Sequence, residues 1–457
     1  MSAAAGPRDA PGRHAPRPPR TLLPLPDAAP NLSPRDAASW IIATLRDAGH
    51  LAYLAGGCVR DELLGREPDD YDVATDATPD RLRALFRRTD EIGASFGVVL
   101  VKTGPHAIEV ATFRADGPYS DRRRPDTVRF SDPRSDAERR DFTVNALLLD
   151  PDGGPGPAGV PSTTTPRGTV IDYIGGMADL AARTLRAVGD PERRLAEDHL
   201  RALRAARLAA KLGFTLDPAT AAAIRRHAAE LAGVSRERIG DEVRRLLAHP
   251  SRTRGVELLE DLGLAGPSLL LTSPPTSGPR TRVASLHPEA PITTTLAAWL
   301  IDLGHLPTMA DAKGDPTSAI LQRTRRALCL SNDEGAFLRD VLRGVALLRG
   351  SWAGASMARQ KRAAAAAWFA EALSIVRAED PVAAEPIADR VAQLVNTTNG
   401  LAPAPWVTGD DLIAMGLRPG PGFKAALDRA YDDQLEEKIV SRAEALELAR
   451  ARGVGVE

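Results

Sequence analysis

Apolar residues in the first third of the chain come in short bursts of changing period. Ser33-Pro34 precedes Ala37, Ile41, Ile42 and Leu45, a three- and four-residue spacing that predicts an N-capped amphipathic helix ending near Gly49. Leu51–Ala55 is a short apolar strand running into Gly56-Gly57, and Tyr71–Thr75 is a second strand. Asp80–Arg88 reads as a helix with Leu82, Leu85 and Phe86 on its apolar face. Phe96–Lys102 and Ala107–Phe113 read as strands joined by a turn at Gly104-Pro105, and Val144–Leu149 is a further apolar run. The segment from there to Thr169 is rich in Pro, Gly and Thr. After Asp190 long Ala/Leu/Arg/Glu stretches of helical period dominate, interrupted near 265–291 by a Pro/Ser-rich loop. The pattern predicts an α+β chain, a small α/β head followed by an all-helical remainder.

Composition narrows this picture. The chain has 457 residues, enough for two to four domains, and 43% hydrophobic residues support a packed core. Aromatic residues make up only 4%, which argues against a binding surface built on base-stacking rings. Cys58 and Cys329 are the only cysteines, which excludes a disulfide framework and a cysteine-based zinc site. No apolar run approaches a membrane span, and residues 1–32 lack the apolar segment of a signal peptide, so they read as a disordered basic tail. The expectation is a cytoplasmic enzyme or RNA-binding protein that needs no membrane, with no protein partner predicted. Net charge is −1, so any nucleic-acid footprint must be local; Arg193–Arg254 supplies one, with 14 Lys/Arg against 7 Asp/Glu.

The candidate chemistry starts at Gly56-Gly57-Cys58-Val59-Arg60-Asp61 and Asp70-Tyr71-Asp72. Two carboxylates two residues apart on a strand share a face and repel unless a cation lies between them. Few hard oxygen ligands suit Mg²⁺, which completes its shell with water and substrate phosphates. The glycines allow a phosphate to approach the backbone, and the helix start that follows offers free N–H groups. Glu109 sits in an apolar strand, either exposed on a half-buried sheet or aimed into the site; the exposed reading stands ahead of a direct metal ligand. Arg140, Asp141 and Asn145 lie in an Arg-Arg-Asp-Phe-Thr-Val-Asn stretch, where arginine suits phosphate and Asp or Asn suits sugar hydroxyls. On a helix through 197–214, Asp198 and Arg201 are neighbours three apart, and Arg204 and Arg207 continue the spacing. That pair is either a weak intrahelical ion pair or an acceptor beside donors. The second arrangement matches the amino group and ring nitrogen shared by adenine and cytosine and rejects guanine and uracil.

These motifs, in this order, resemble the class II tRNA nucleotidyltransferase and bacterial poly(A) polymerase family. The matching pieces run from Gly56 to Asp61, Asp70 to Asp72, Glu109 to Arg114, Asp121 to Pro125, Arg139 to Ala146, Glu197 to Arg201 and Glu237 to Leu247. Thr408–Leu412 and Gly416–Pro421 look like the tail of the CCA-adding members. The resemblance implies a nucleotidyltransferase head with a mixed sheet over 33–183, a helical neck over 184–262 that selects nucleotide and binds RNA, and a helical body and tail over 263–457. It implies that Asp70 and Asp72 hold catalytic Mg²⁺. Gly57 and Arg60 would bind the triphosphate, and Arg140, Asp141 and Asn145 ribose and phosphate. Asp198 and Arg201 would serve as the base template, with Arg204 and Arg207 close by, and Arg114–Arg124 as a flexible loop. The implied partners are CTP, ATP and the tRNA 3′ acceptor end. The products within this family are CCA, CC, A or poly(A). Gly93–Val99 is closer to the CCA-adding members than to the poly(A) polymerases, and Asp121–Pro125 tilts toward full CCA or A addition. No His-Asp dipeptide occurs among the eight histidines, so no appended phosphohydrolase domain is expected.

Overall fold

The computed structural model describes residues 32–93, 97–119, 125–271, 279–304, 316–416 and 421–453. Most of the basic tail, the Asp121–Arg124 part of the loop and most of the Gly416–Pro421 motif lie outside the described residues. The chain divides into two compact units, one formed by residues up to Arg201 with Phe214–Ile224, the other by Ala202–Gly213 with Arg225 onward.

The first unit opens with helix α1 (Pro34–Asp47), where Ser33 caps the Asp36 N–H and Pro34 takes a first-turn position. Its buried stripe of Ala37, Ala38, Ile41, Ile42 and Leu45 packs on one face of a mixed sheet. The strands are β1 (Ala52–Ala55), β2 (Asp72–Thr75), β3 (Thr89–Gly93), β4 (Val98–Thr103) and β5 (His106–Thr112), then, past a separate hairpin of β6 (Arg114–Asp116) and β7 (Val128–Phe130), β8 (Leu148–Asp150), β9 (Ser162–Thr165) and β10 (Gly168–Ile171). The eight-stranded order is β3-β4-β5-β2-β1-β8-β10-β9. Strand β2 runs parallel to β5 and antiparallel to β1. Tyr53, Ala55, Ala74, Phe113, Leu148 and Ile171 form one core cluster of this unit. Helices α2 (Gly57–Leu63), α3 (Pro79–Leu85), α4 (Pro133–Glu138) and α5 (Gly176–Ala181) fill the connections.

The Pro/Gly/Thr-rich segment before Thr169 contains the β9–β10 hairpin. Thr163, Thr164 and Thr165 are β-branched and suit an edge strand, while Gly168, at φ +136°, passes so close to the Asp150 carbonyl that no Cβ fits. The apolar run at 144–149 begins as a 3₁₀ turn over Thr143–Asn145 and becomes strand only at Leu148.

Helices α6 (Pro191–Glu197), α7 (Leu200–Leu212), α8 (Pro218–His227) and α9 (Arg236–Ala248) follow, and the remainder of the second unit is helical among the described residues. Its core centres on Ile292–Asp302, where Trp299 is fully buried and its indole N–H donates to Glu260 Oε1 at 2.9 Å. The stretch read as a Pro/Ser-rich loop holds two short helices, Ala265–Leu269 and Thr281–Ser285. Arg280 pins the second by pairing with Glu260 and donating to the Asp302 carbonyl at 2.8 Å. Such long-range anchoring leaves no local periodic signal. A separate cluster of Val407, Leu412, Ala426, Ala430, Ile439, Ala445 and Ala449 closes the C-terminal helices.

The β1–α2 turn carries the tightest local constraint. Gly56 has φ +81°, and a Cβ there would lie 2.7 Å from Arg140 Nη1. Gly56→Ala therefore combines a left-handed backbone penalty with displacement of a guanidinium. It should lower the unfolding free energy by about 2 kcal/mol or more, read from urea denaturation against the wild type.

Candidate active site

Strand β2 starts at Asp72, and the parallel register sets Asp72 opposite Glu109 of β5. Asp70 and Glu109 are exposed and Asp72 is half-buried. Burial pushes the Asp72 carboxyl up to about 7, and the negative charges of Asp70 and Glu109 push in the same direction; Arg140 opposes them. The structure thus brings Asp70, Asp72 and Glu109 into one electrostatic group, with Arg140 the nearby cation. A half-buried carboxylate whose ionisation is opposed by two neighbouring carboxylates belongs to a donor set that a hard divalent cation relieves.

Beside this group lies a buried polar lattice. Arg60 is 5% exposed; its Nε and Nη2 donate to the two oxygens of Asp61 at 2.8 Å each, and its Nη1 donates to Asn145 Oδ1. Asn145 Nδ2 in turn donates to Asp141 Oδ1 at 3.1 Å. Arg140 Nη1 donates to the Asn145 carbonyl at 3.0 Å, and its Nε and Nη2 reach Asp136 Oδ2 at 3.2 and 3.1 Å. A Cβ on Gly57 would lie 3.6 Å from Arg60 Nη2. Gly57, Arg60, Asp141 and Asn145 therefore share one lattice, Arg140 joins it through the Asn145 carbonyl, and the Arg60 guanidinium is engaged inside the protein.

Asp136, which holds Arg140, was not singled out in the sequence, and Asp61, which holds Arg60, was named there without a role of its own. The signal for Asp136 was its three- and four-residue spacing to Arg139 and Arg140. It is 1% exposed and pairs with Arg139 at 2.6 Å as well as with Arg140; those two cations hold its carboxyl below the usual range against the upward push of burial. Arg139 also faces Asp116 at 3.9 Å, and Asp116 pairs with Arg114 at 2.9 Å and accepts the Tyr119 hydroxyl at 2.6 Å. Burial and that hydrogen bond push Tyr119 up to about 12, with Arg201 opposing. An ionic chain thus runs from the carboxylates toward the described part of the Arg114–Arg124 loop.

The continuous helix expected through 197–214 is interrupted. Helix α6 stops at Glu197, and Asp198 is extended (φ −155°, ψ 104°) with Oδ1 accepting the Leu200 N–H at 3.1 Å. A short carboxylate satisfies the unpaired amides of a helix start better than it serves mid-helix, so Asp198 introduces α7 instead of lying on it. Arg201 takes Glu197 as its ion-pair partner, with Nη1 at 2.6 Å from Glu197 Oε2 and 2.6 Å from the Arg194 carbonyl. Glu197 also pairs with Arg194 at 2.9 Å. Arg204 and Arg207 fall in the second unit, where Arg207 Nε donates to Glu242 Oε2 at 2.6 Å.

A mixed sheet presenting an acidic pair at the start of a strand, beside a glycine turn and a buried Arg–Asp–Asn lattice, defines a nucleotidyltransferase head. Residues 52–186 match the family described as the Poly A polymerase head domain, and residues 213–270 the family described as a probable RNA and SrmB-binding site of polymerase A. The chain is 31% identical over 425 residues to a CCA-adding enzyme of Lacticaseibacillus paracasei, covering 92% of this chain and 96% of that protein. It is 41% identical over 225 residues to a CCA-adding enzyme of Levilactobacillus brevis, a match spanning about half of each protein (49% and 53%). The crystal structure of the Bacillus stearothermophilus CCA-adding enzyme in complex with CTP superposes with a TM-score of 0.70 at 29% identity, covering 93% of this chain and 99% of that one. The chain belongs to the CCA-adding enzyme family. Nucleotidyltransferases of this kind work with a divalent metal. No helix among the described residues is long and apolar enough to cross a membrane.

The raised Asp72 carboxyl has a measurable consequence. Its ordinary value is 3.8 and its folded value about 7, so in the metal-free protein the folded state holds the proton more tightly. Asp72 therefore contributes stability at low pH that is lost as pH rises from about 4 to about 7. In thermal melts with chelator, the stability of the wild type relative to Asp72→Asn should fall across that window and level off above it.

Proposed function

We propose that this chain is a template-independent RNA nucleotidyltransferase that adds CMP and AMP from CTP and ATP to the 3′ end of tRNA in the cytoplasm, using Mg²⁺. The observation that carries the reading is the Asp70–Asp72–Glu109 group beside Arg140, in a chain similar along nearly its whole length to a CCA-adding enzyme. In this reading Asp70 and Asp72 supply the oxygen ligands. Mg²⁺, when bound, lowers the pKa of the attacking 3′-hydroxyl and neutralises charge on the departing pyrophosphate. The protein supplies position and field. Gly57 lets the triphosphate approach the backbone, while Arg60, held by Asp61 and Asn145, keeps its positive charge beneath it. Arg140 offers positive charge to phosphate, and Asp141 and Asn145 face the ribose.

Base choice falls to Asp198 and Arg201. Glu197 grips Arg201 through Nη1 alone, which leaves Nε and Nη2 without a partner among the described residues. A guanidinium held at one corner presents a fixed donor edge, and Asp198 supplies the acceptor, the pattern that complements cytosine and adenine. Arg204 and Arg207 extend the positive charge along the same helix. The domain division that accompanies this reading is a catalytic head over 33–183, a neck over 184–262 and a body and tail over 263–457.

Incubation of a tRNA lacking its 3′ CCA with CTP, ATP or both, followed by sequencing of the product ends, separates CCA, CC, A and poly(A) addition. The expected product is CCA with both nucleotides present. Asp70→Ala should abolish transfer while tRNA binding in a gel-shift titration stays near wild type; full transfer by this variant refutes the metal assignment. Replacing Asp198 and Arg201 with alanine should relax discrimination against GTP and UTP by roughly tenfold or more in kcat/KM, and unchanged discrimination rules out the template role.

A further inference from the structure

The two candidate metal ligands on β2 are not held alike. Asp72 is locked into the sheet by its pairing with Glu109, and the residues after it pair with β1. Asp70 stands before the first paired residue of β2, and no hydrogen bond or ion pair holds its side chain among the described residues. Between them is Tyr71, 2% exposed where Asp70 is exposed and Asp72 half-buried. Its hydroxyl donates to Glu62 Oε1 at 2.9 Å. Glu62 lies on α2 with its side chain 2% exposed. The same oxygen accepts Arg35 Nε of α1 at 2.7 Å and faces Arg167 Nη1, from the β9–β10 turn, at 3.6 Å. Arg35 Nη2 also donates to the Arg167 carbonyl at 2.7 Å. Two helices and a hairpin turn therefore converge on one buried carboxylate whose partner in β2 is the tyrosine between the two aspartates.

A buried phenol without an acceptor carries a desolvation cost, and a buried carboxylate without cations carries a larger one. Glu62 resolves both: Arg35 and Arg167 compensate its charge, and its oxygen sets the depth and rotation at which Tyr71 seats. Because Tyr71 and Asp70 are adjacent, fixing one side chain fixes the backbone that aims the other.

We propose that the Glu62–Tyr71 hydrogen bond, braced by Arg35 and Arg167, is a positioning device that sets Asp70 beside Asp72 for a shared divalent cation. Glu62 and Tyr71 are positioning residues and touch neither cation nor nucleotide. The inference rests on the carboxylate site described under Proposed function, and the test separates the two.

The test is Mn²⁺ binding to the free, full-length protein, followed by the electron paramagnetic resonance of unbound Mn²⁺, with thermal midpoints measured alongside. Asp70→Asn should lose most of the binding. Tyr71→Phe keeps the ring and loses the hydroxyl; it should weaken Mn²⁺ roughly three- to tenfold with little change in midpoint. Glu62→Gln keeps an oxygen that accepts the tyrosine hydroxyl but loses the charge; its midpoint should fall while its Mn²⁺ affinity stays within roughly twofold of wild type. A merely structural hydrogen bond moves the midpoint and leaves Mn²⁺ affinity alone. Wild-type affinity in Tyr71→Phe, with binding lost in Asp70→Asn, overturns the positioning inference alone. Wild-type affinity in Asp70→Asn overturns the site itself. If Tyr71→Phe does not fold, Glu62→Met, which removes the acceptor of the tyrosine hydroxyl, takes its place: weakened Mn²⁺ binding supports the device and unchanged affinity refutes it.

Discussion

The pairing of β2 with β5 places like charges opposite each other, and the organisation of the head follows from that. Asp72 and Glu109 face one another across the parallel register, with Asp70 close enough to add to the strain on Asp72. Carboxylates in such proximity disfavour ionisation, so the arrangement persists only where a cation compensates it. In the chain itself that cation is Arg140, which reaches the site by crossing over Gly56. The glycine turn, usually read as room for a phosphate, is here also room for a guanidinium.

From Arg140 outward, the protein alternates charge. Asp136 holds Arg140 and Arg139, Arg139 leads to Asp116, and Asp116 holds Arg114 and Tyr119. Arg194 donates to the carbonyls of Glu138 and Arg139 and shares Glu197 with Arg201. Several arginines of the ligand-binding motifs are thus committed to carboxylates and carbonyls inside the protein, where they orient neighbouring groups. Counting arginines near an acidic pair overstates the number that meet phosphate. Arg60 illustrates this: each nitrogen of its guanidinium donates to Asp61 or Asn145.

Much of the fold was legible because local chemistry and tertiary structure agree. The capped α1, the β1-to-α2 glycine turn and the alternation on β4 and β5 all follow from short-range pattern. Where they disagree, long-range contacts decided. The Thr-rich hairpin β9–β10 becomes an edge of the sheet because β8 is there to receive it. The short helices at 265–269 and 281–285 lie in a stretch that reads as loop, and Arg280 holds the second through Glu260. Asp198, read as a helical residue, ends up introducing a helix because its short side chain caps the following amide.

By itself the sequence determined the class of the chain and the chemical groups available to it: an α/β head with paired carboxylates and a glycine turn, then helices rich in arginine. These depend on residue type and short spacing, which a linear chain states directly. Tertiary structure decided which charges meet beyond a single helical turn. Glu109 joins Asp70 and Asp72 only through the register of two strands far apart in sequence. Glu62 grips Tyr71 only because the fold brings α2 to the residue before β2, and Arg207 meets Glu242 only because α7 and α9 are brought together. Coulomb and hydrogen-bond energies depend on separation in space, and neither residue type nor spacing along the chain specifies that separation.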